Sequence, residues 1–194
     1  MNSPRQRRPE LVAIGCSAGG LKAMQVLLAG LPPAGLPPIV LCCHTASRDV
    51  GTMCELLTRH SPTPVEEAVE RHAIKPGHIY VAPSGYHLLV EEDRRFALSV
   101  DAKVNFSRPS IDVLFESVAM SYHAAALGVI LTGANSDGAA GLKCIGDAGG
   151  ITMVQRPDTA EVPSMPQAAL DMAHPDYALE LDSMAPLISQ LCRQ

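Results

Sequence analysis

Aromatic side chains are almost missing from this sequence: they make up 4% of it, with no tryptophan among 194 residues. A core built without them is aliphatic, from Leu, Val, Ile, Ala and Met, and stacking platforms for nucleic-acid bases are lacking. Excess positive charge is missing too. The formal net charge is −5, which opposes binding to a phosphate backbone. The one basic cluster, Arg5, Arg7 and Arg8, falls in a Pro-containing stretch over residues 1–10 that reads as a flexible, solvated leader. The six cysteines (Cys16, Cys42, Cys43, Cys54, Cys144 and Cys192) form no C-x-x-C pair and no regular framework. Neither a zinc site nor a disulfide scaffold is indicated. No apolar run approaches the roughly 18 residues of a membrane-crossing helix, and no secretory leader is evident. The expectation is a cytoplasmic chain with free thiols, not inserted in a membrane.

What is present is a globular composition, 47% hydrophobic and 18% charged, in a length that suits a single domain over residues 11–194. "LVAIG" (11–15) and "PIVLCC" (38–43) are short, continuous apolar runs, as expected of strands buried on both faces of a parallel sheet. "GLKAMQVLLAGL" between them has helical periodicity and ends at Pro32-Pro33. "DVGTMCELLTRH" reads as a second helix and "PVEEAV" as a short strand. In the middle, "HIYVAP" reads as a strand and "HLLVEE" with "FALSV" as a tight hairpin around "DRR". After the loop "DAKVNFSRPS" come a helix over 111–123, a buried strand in "ALGVILTG", a helix in "GAAGLKCIGDAGG" and a strand in "ITMVQ". A helix near 164–173, a strand at "YALEL" and a terminal helix follow. This order predicts an α/β, doubly wound three-layer sandwich with a mixed sheet, mostly parallel with an antiparallel hairpin.

Sites in such sheets form at the carboxyl ends of the strands. Ser17 follows the first strand, His44 the second, and Asp137 stands in "ANSDGAAG" after the strand "GVILTG". Serine, histidine and aspartate fill the three roles of an acyl-transfer triad: nucleophile, base, and the carboxylate that fixes the imidazole tautomer. Each has a bland reading as well. Ser17 and Asp137 can cap the helices that follow them, and a histidine at a strand end is often structural. Among the remaining histidines, His87 in "SGYHLL" is the one retained as a groove residue. The literal G-x-S-x-G around Ser17 matches a nucleophile elbow, but the order Ser, His, Asp is not that of the α/β-hydrolases. A phosphate loop in "GCSAGG" is the other alternative. It lacks the Rossmann glycine spacing, a Walker lysine, and an acidic residue closing the second strand, where His44 stands.

These residues, with "AIGCSAGG", "PGHIYVAPSGYHLLV", "SRPSIDVLFESVA", "GVILTGANSDGAAGLKCIGDAGG" and "PSMPQAAL" in this order, resemble the catalytic domain of the chemotaxis protein-glutamate methylesterases (the CheB family) over roughly residues 10 to 175. The resemblance implies that Ser17, His44 and Asp137 are the triad of a hydrolase that cleaves γ-glutamyl methyl esters on methyl-accepting chemoreceptors and deamidates certain glutamines. It implies no metal or organic cofactor. Amides of the turn after Ser17, at Ala18 and Gly19, can stabilise an oxyanion at the start of a helix. The family's Gly-Met-Gly-x-Asp-Gly stretch implies the amide of Ala134 as a further donor. Four positions and one segment depart from the family: Ala18 replaces the usual Thr, Cys43 and Thr45 replace Gln and Met around the histidine, Ala134 replaces Met, and "ASRDVG" replaces a Pro-rich segment. The family's preceding receiver domain is expected to be absent from this polypeptide, because only about ten residues precede the first strand. A non-catalytic docking module that keeps the fold is the second functional reading.

Overall fold

The computed structural model describes residues 8–44 and 49–193. Thr45 and the first half of "ASRDVG" (residues 46–48), like Arg5 and Arg7, lie outside them. Seven strands form one sheet: β1 (Leu11–Cys16), β2 (Ile39–Cys43), β3 (Val65–Glu67), β4 (Ile79–Val81), β7 (Ala126–Ile130), β8 (Ile151–Gln155) and β9 (Tyr177–Leu179). Their order is β3-β4-β2-β1-β7-β8-β9, and every pairing is parallel. The continuous apolar runs are what a two-sided burial demands: all residues of β1, β2, β7 and β8 are buried.

Alternate residues of these strands feed two separate cores. Val12, Ile14, Leu41 and Val129 pack with α1 (Gly20–Ala29), α2 (Val50–Thr58) and α6 (Leu181–Arg193) on one face. Leu11, Ala13, Val40 and Ile130 pack with α3 (Ile111–Tyr122), α4 (Ala139–Asp147) and α5 (Ser164–Ala173) on the other. Each fully buried Leu or Ile among them contributes roughly 1.5–3 kcal/mol. The doubly wound three-layer architecture read from the sequence is therefore the one observed.

The hairpin β5 (His87–Val90) and β6 (Phe96–Ser99) is antiparallel but forms its own two-stranded sheet. It lies on α3, where Ser117 Oγ receives the Val90 N–H at 3.0 Å and Ser121 Oγ donates to Val90 O at 2.6 Å. Arg8 is tied down rather than merely solvated, its Nε donating to the Cys192 carbonyl at 3.0 Å.

The chain leaves β1 toward β2 on one side and returns to β7 on the other. That reversal opens a crevice at the carboxyl ends of β2, β1 and β7, where ligands bind in open sheets of this kind. Among the described residues, no helix is long and apolar enough to cross a membrane.

Candidate active site

The strand ladders carry on past the strand ends and bring the candidate residues together. His44 N–H donates to Cys16 O at 3.1 Å, and Ser17 N–H donates to Thr132 O at 3.0 Å. Ser17 therefore stands between the ends of β2 and β7. The turn that follows has a bond from Gly20 N–H to Ser17 O, 2.8 Å, with Gly19 at φ 77°, ψ −6°. A type II turn needs that left-handed third residue, which explains the glycine. Ala18 O accepts from Thr132 Oγ1 at 3.0 Å, so the trans peptide sends the Gly19 N–H the opposite way.

His44 Nε2 lies 2.7 Å from Asp137 Oδ2. Asp137 is fully buried, and its carboxylate accepts four further hydrogen bonds. Oδ2 also receives Ile111 N–H (2.7 Å), while Oδ1 receives Ser110 Oγ (2.8 Å), Asn105 Nδ2 (3.1 Å) and Asp112 N–H (3.2 Å). Ser110, Ile111 and Asp112 begin α3, so the anion rests on the positive end of that helix. Burial alone raises the carboxyl pKa. The bonds from His44, Ile111, Ser110 and Asn105 outweigh it and lower the value to about 2. Asp112 returns the favour, its Oδ1 accepting Gly138 N–H (2.9 Å) and Gly141 N–H (2.7 Å) at the start of α4. Asn105 Nδ2 bridges the two acids, reaching Asp112 Oδ2 at 2.8 Å.

An ionised Asp137 requires the proton of the imidazole on Nε2, which leaves Nδ1 as the basic nitrogen. Nδ1 has Ser107 Oγ and Asn135 Nδ2 each 3.4 Å away, both long enough to yield to a closer partner. Ser17 and His44 border one open cavity of about 530 Å³ with Gly19, Cys43, Met53 and Glu161. The hydrogen bond with Cys43, and then burial, raise the Cys16 thiol, while the same hydrogen bond lowers that of Cys43. Among the described residues, no three His, Cys, Asp or Glu side chains are grouped to hold a metal.

Of the residues singled out from the sequence, Ser17, His44, Asp137 and Gly19 meet here. Ala18 and Ala134 are exposed and do not line the cavity. His87 is not a groove residue: it is buried, with Nε2 against Ala102 O (3.0 Å) and Nδ1 accepting Ser110 N–H (3.3 Å). Sequence reasoning missed Asn105, Ser107, Ser110, Asp112 and Asn135. Only Ser110, an N-cap before a helical run, carried a local signal.

The family model for the CheB methylesterases matches residues 12–188. The chain belongs to the CheB methylesterase family. A Leptospira interrogans relative is 47% identical over 182 residues, covering 94% of this chain and 94% of its own length. The Xanthomonas oryzae protein named protein-glutamate methylesterase/protein-glutamine glutaminase 2 is 40% identical over 187 residues. That match covers 95% of this chain but 52% of the relative, so the chain spans about half of that protein. Among solved structures, the CheB methylesterase catalytic domain of Thermotoga maritima superposes with a TM-score of 0.90 at 28% identity, covering 94% of this chain and 98% of that one. CheB architecture thus accounts for both the parallel sheet and the separate hairpin.

Proposed function

We propose that the protein is a serine esterase and amidase that hydrolyses glutamate γ-methyl esters, and deamidates glutamines, on methyl-accepting chemoreceptors. Residues 11–194 act as one catalytic domain, working from the cytoplasm. The observation that carries the reading is the 2.7 Å contact of His44 Nε2 with the buried Asp137 carboxylate, with Ser17 on the same cavity.

In this mechanism Nδ1 of His44 takes the Ser17 hydroxyl proton while Oγ attacks the γ-carbonyl carbon. Asp137 keeps its own charge and stabilises the imidazolium. The oxyanion is met by amides of the turn after Ser17, with Gly19 N–H the best placed of the set Ala18, Gly19 and Ala134. Collapse of the tetrahedral intermediate expels methanol (or ammonia), which takes the proton from Nδ1. Water, deprotonated by the same nitrogen, then clears the glutamyl ester and regenerates Ser17.

Methanol release from membranes bearing methylated chemoreceptors tests this. Ser17→Ala is expected to reduce kcat by roughly 10³-fold or more. Equal release by both proteins refutes Ser17 as nucleophile. A fluorophosphonate probe supplies the second arm, because labelling that disappears in His44→Ala requires an activated serine. Receptor binding without labelling supports the docking module instead.

A further inference from the structure

The segment Val104–Asn105–Phe106–Ser107 is a two-residue hairpin turn beside the site. Val104 N–H donates to Ser107 O (3.2 Å) and Ser107 N–H to Val104 O (2.8 Å). Asn105 and Phe106 both lie in the left-handed region, at φ 49° and 63°. Two successive positive φ values make a type I′ turn, whose second place ordinarily belongs to glycine. Asparagine tolerates this conformation, but a phenylalanine there is strained. The chain recovers none of that cost by packing. Phe106 is 96% exposed, whereas the other two phenylalanines, Phe96 and Phe115, are 1% and 0% exposed.

A singly exposed apolar side chain is ordinary; one held in strained backbone between two residues that touch a triad is not. Asn105 binds Asp137 Oδ1, and Ser107 Oγ lies 3.4 Å from His44 Nδ1. The turn that carries the ring is thereby anchored beside the site. Val100 and Val104 on the same loop are 68% and 36% exposed, extending an apolar edge. A glutamyl side chain is short, so the polypeptide that carries it must press its own surface against this rim. The ester is also neutral while the product is an anion, and an apolar rim favours the former.

We propose that Phe106 is a substrate-binding residue that anchors an apolar side chain of the protein segment bearing the glutamyl ester. This rests on the methylesterase reading, and binding separates the two. In a Ser17→Ala background, which cannot turn over, co-sedimentation with membranes carrying methylated chemoreceptors is compared with and without Phe106→Gly. The turn accommodates glycine, so the melting temperature is expected to hold or rise. Affinity is expected to fall roughly tenfold, with Phe106→Leu recovering most of it. With Ser17 present, the loss in methanol release should fall on KM rather than kcat. Equal binding by the Phe106→Gly protein, or a loss confined to kcat, overturns the proposal. Failure of the esterase reading shows separately, as wild-type protein that binds but releases no methanol.

Discussion

Ser17–Ala18–Gly19–Gly20 and Ser136–Asp137–Gly138–Ala139 are the same turn used twice. Each closes with a bond from its fourth N–H to its first carbonyl, 2.8 and 3.2 Å long. Each holds its third-place glycine left-handed, at φ 77° and 95°. Each also hands the chain from a central strand to a helix. They differ at the second residue: Ala18 faces solvent, while Asp137 is buried under five donors drawn from His44, Asn105 and the start of α3. One turn thus presents Ser17, the proposed nucleophile, to an open cavity, and the other immobilises an anion. A proton relay needs that division, since the acid must hold the imidazole still while the serine approaches and leaves.

The comparison breaks most sharply at Asp137→Asn. An amide retains the shape but sets its own N–H₂ against donors that expect a carboxylate, and it no longer fixes the proton on Nε2. The loss of kcat expected in the methanol assay is roughly 10⁴-fold, the scale seen when a triad acid becomes an amide elsewhere. Melting temperature should drop as well, because a charged hydrogen-bond hub is worth roughly 1.5–3 kcal/mol per charge-assisted bond lost. A loss of activity below about tenfold would show that the carboxylate is not what organises the row.

How much of this was legible follows from how each part is encoded. Ser17, His44 and Asp137 follow apolar runs that declare buried parallel strands, so topology alone places them at one crevice. The donors around Asp137 come from far away in sequence. Asn105 and Ser110 lie 32 and 27 residues before it, and meet it only because α3 packs on α4. Periodicity identifies those helices without saying which ends touch. "NF" is also not a turn dipeptide, so the hairpin at 105–106 left no signal, whereas Asn-Gly would have. Alternation at 87–99 announced a hairpin correctly but could not say that it sits on α3 rather than joining the sheet. His87 was misread for the same reason: its partners Ala102 and Ser110 belong to a loop whose path the pattern does not fix.

A gentler perturbation asks how local the clamp on the acid side is, using one helix and one substitution. A Cβ on Gly141 would come within 2.6 Å of Phe115 Cβ and 2.9 Å of the Asp112 carbonyl oxygen, backbone that cannot step aside without parting α3 from α4. On Gly146, five residues along α4, the nearest atom is Thr152 Cγ2 at 3.5 Å, an ordinary contact. Gly141→Ala is therefore expected to destabilise by roughly 1–3 kcal/mol and to reduce activity through Asp112 and Asp137. Gly146→Ala should stabilise by roughly 0.5–1 kcal/mol from helix propensity. Chemical denaturation of the two variants checks the signs, and two changes of the same sign would mean that the helix contact is not the constraint.

The smallest effect is read from protons. Asp137 and Asp112 both rest on helix starts, yet their carboxyls shift in opposite directions. For Asp137 the penalty of burial is overcome by its donors, giving a value of about 2. For Asp112, burial and then the charge of Asp137 outweigh the Gly141, Gly138 and Asn105 bonds and raise it. The signs follow from linkage. A carboxyl depressed from roughly 3.9 adds stability above that pH, and the gain is lost as pH falls through about 2. A raised carboxyl does the reverse: on acidification the folded state takes up its proton first and gains stability. Carbon-13 carboxyl titration should thus show Asp112 protonating before Asp137, with Asp137 ionised almost to pH 2. Asn105→Ala removes the amide they share and should move both upward. If Asp137 titrated first, or at the ordinary aspartate value, it could not be the fixed anion that holds the His44 proton on Nε2, and the contrast between the two turns would collapse.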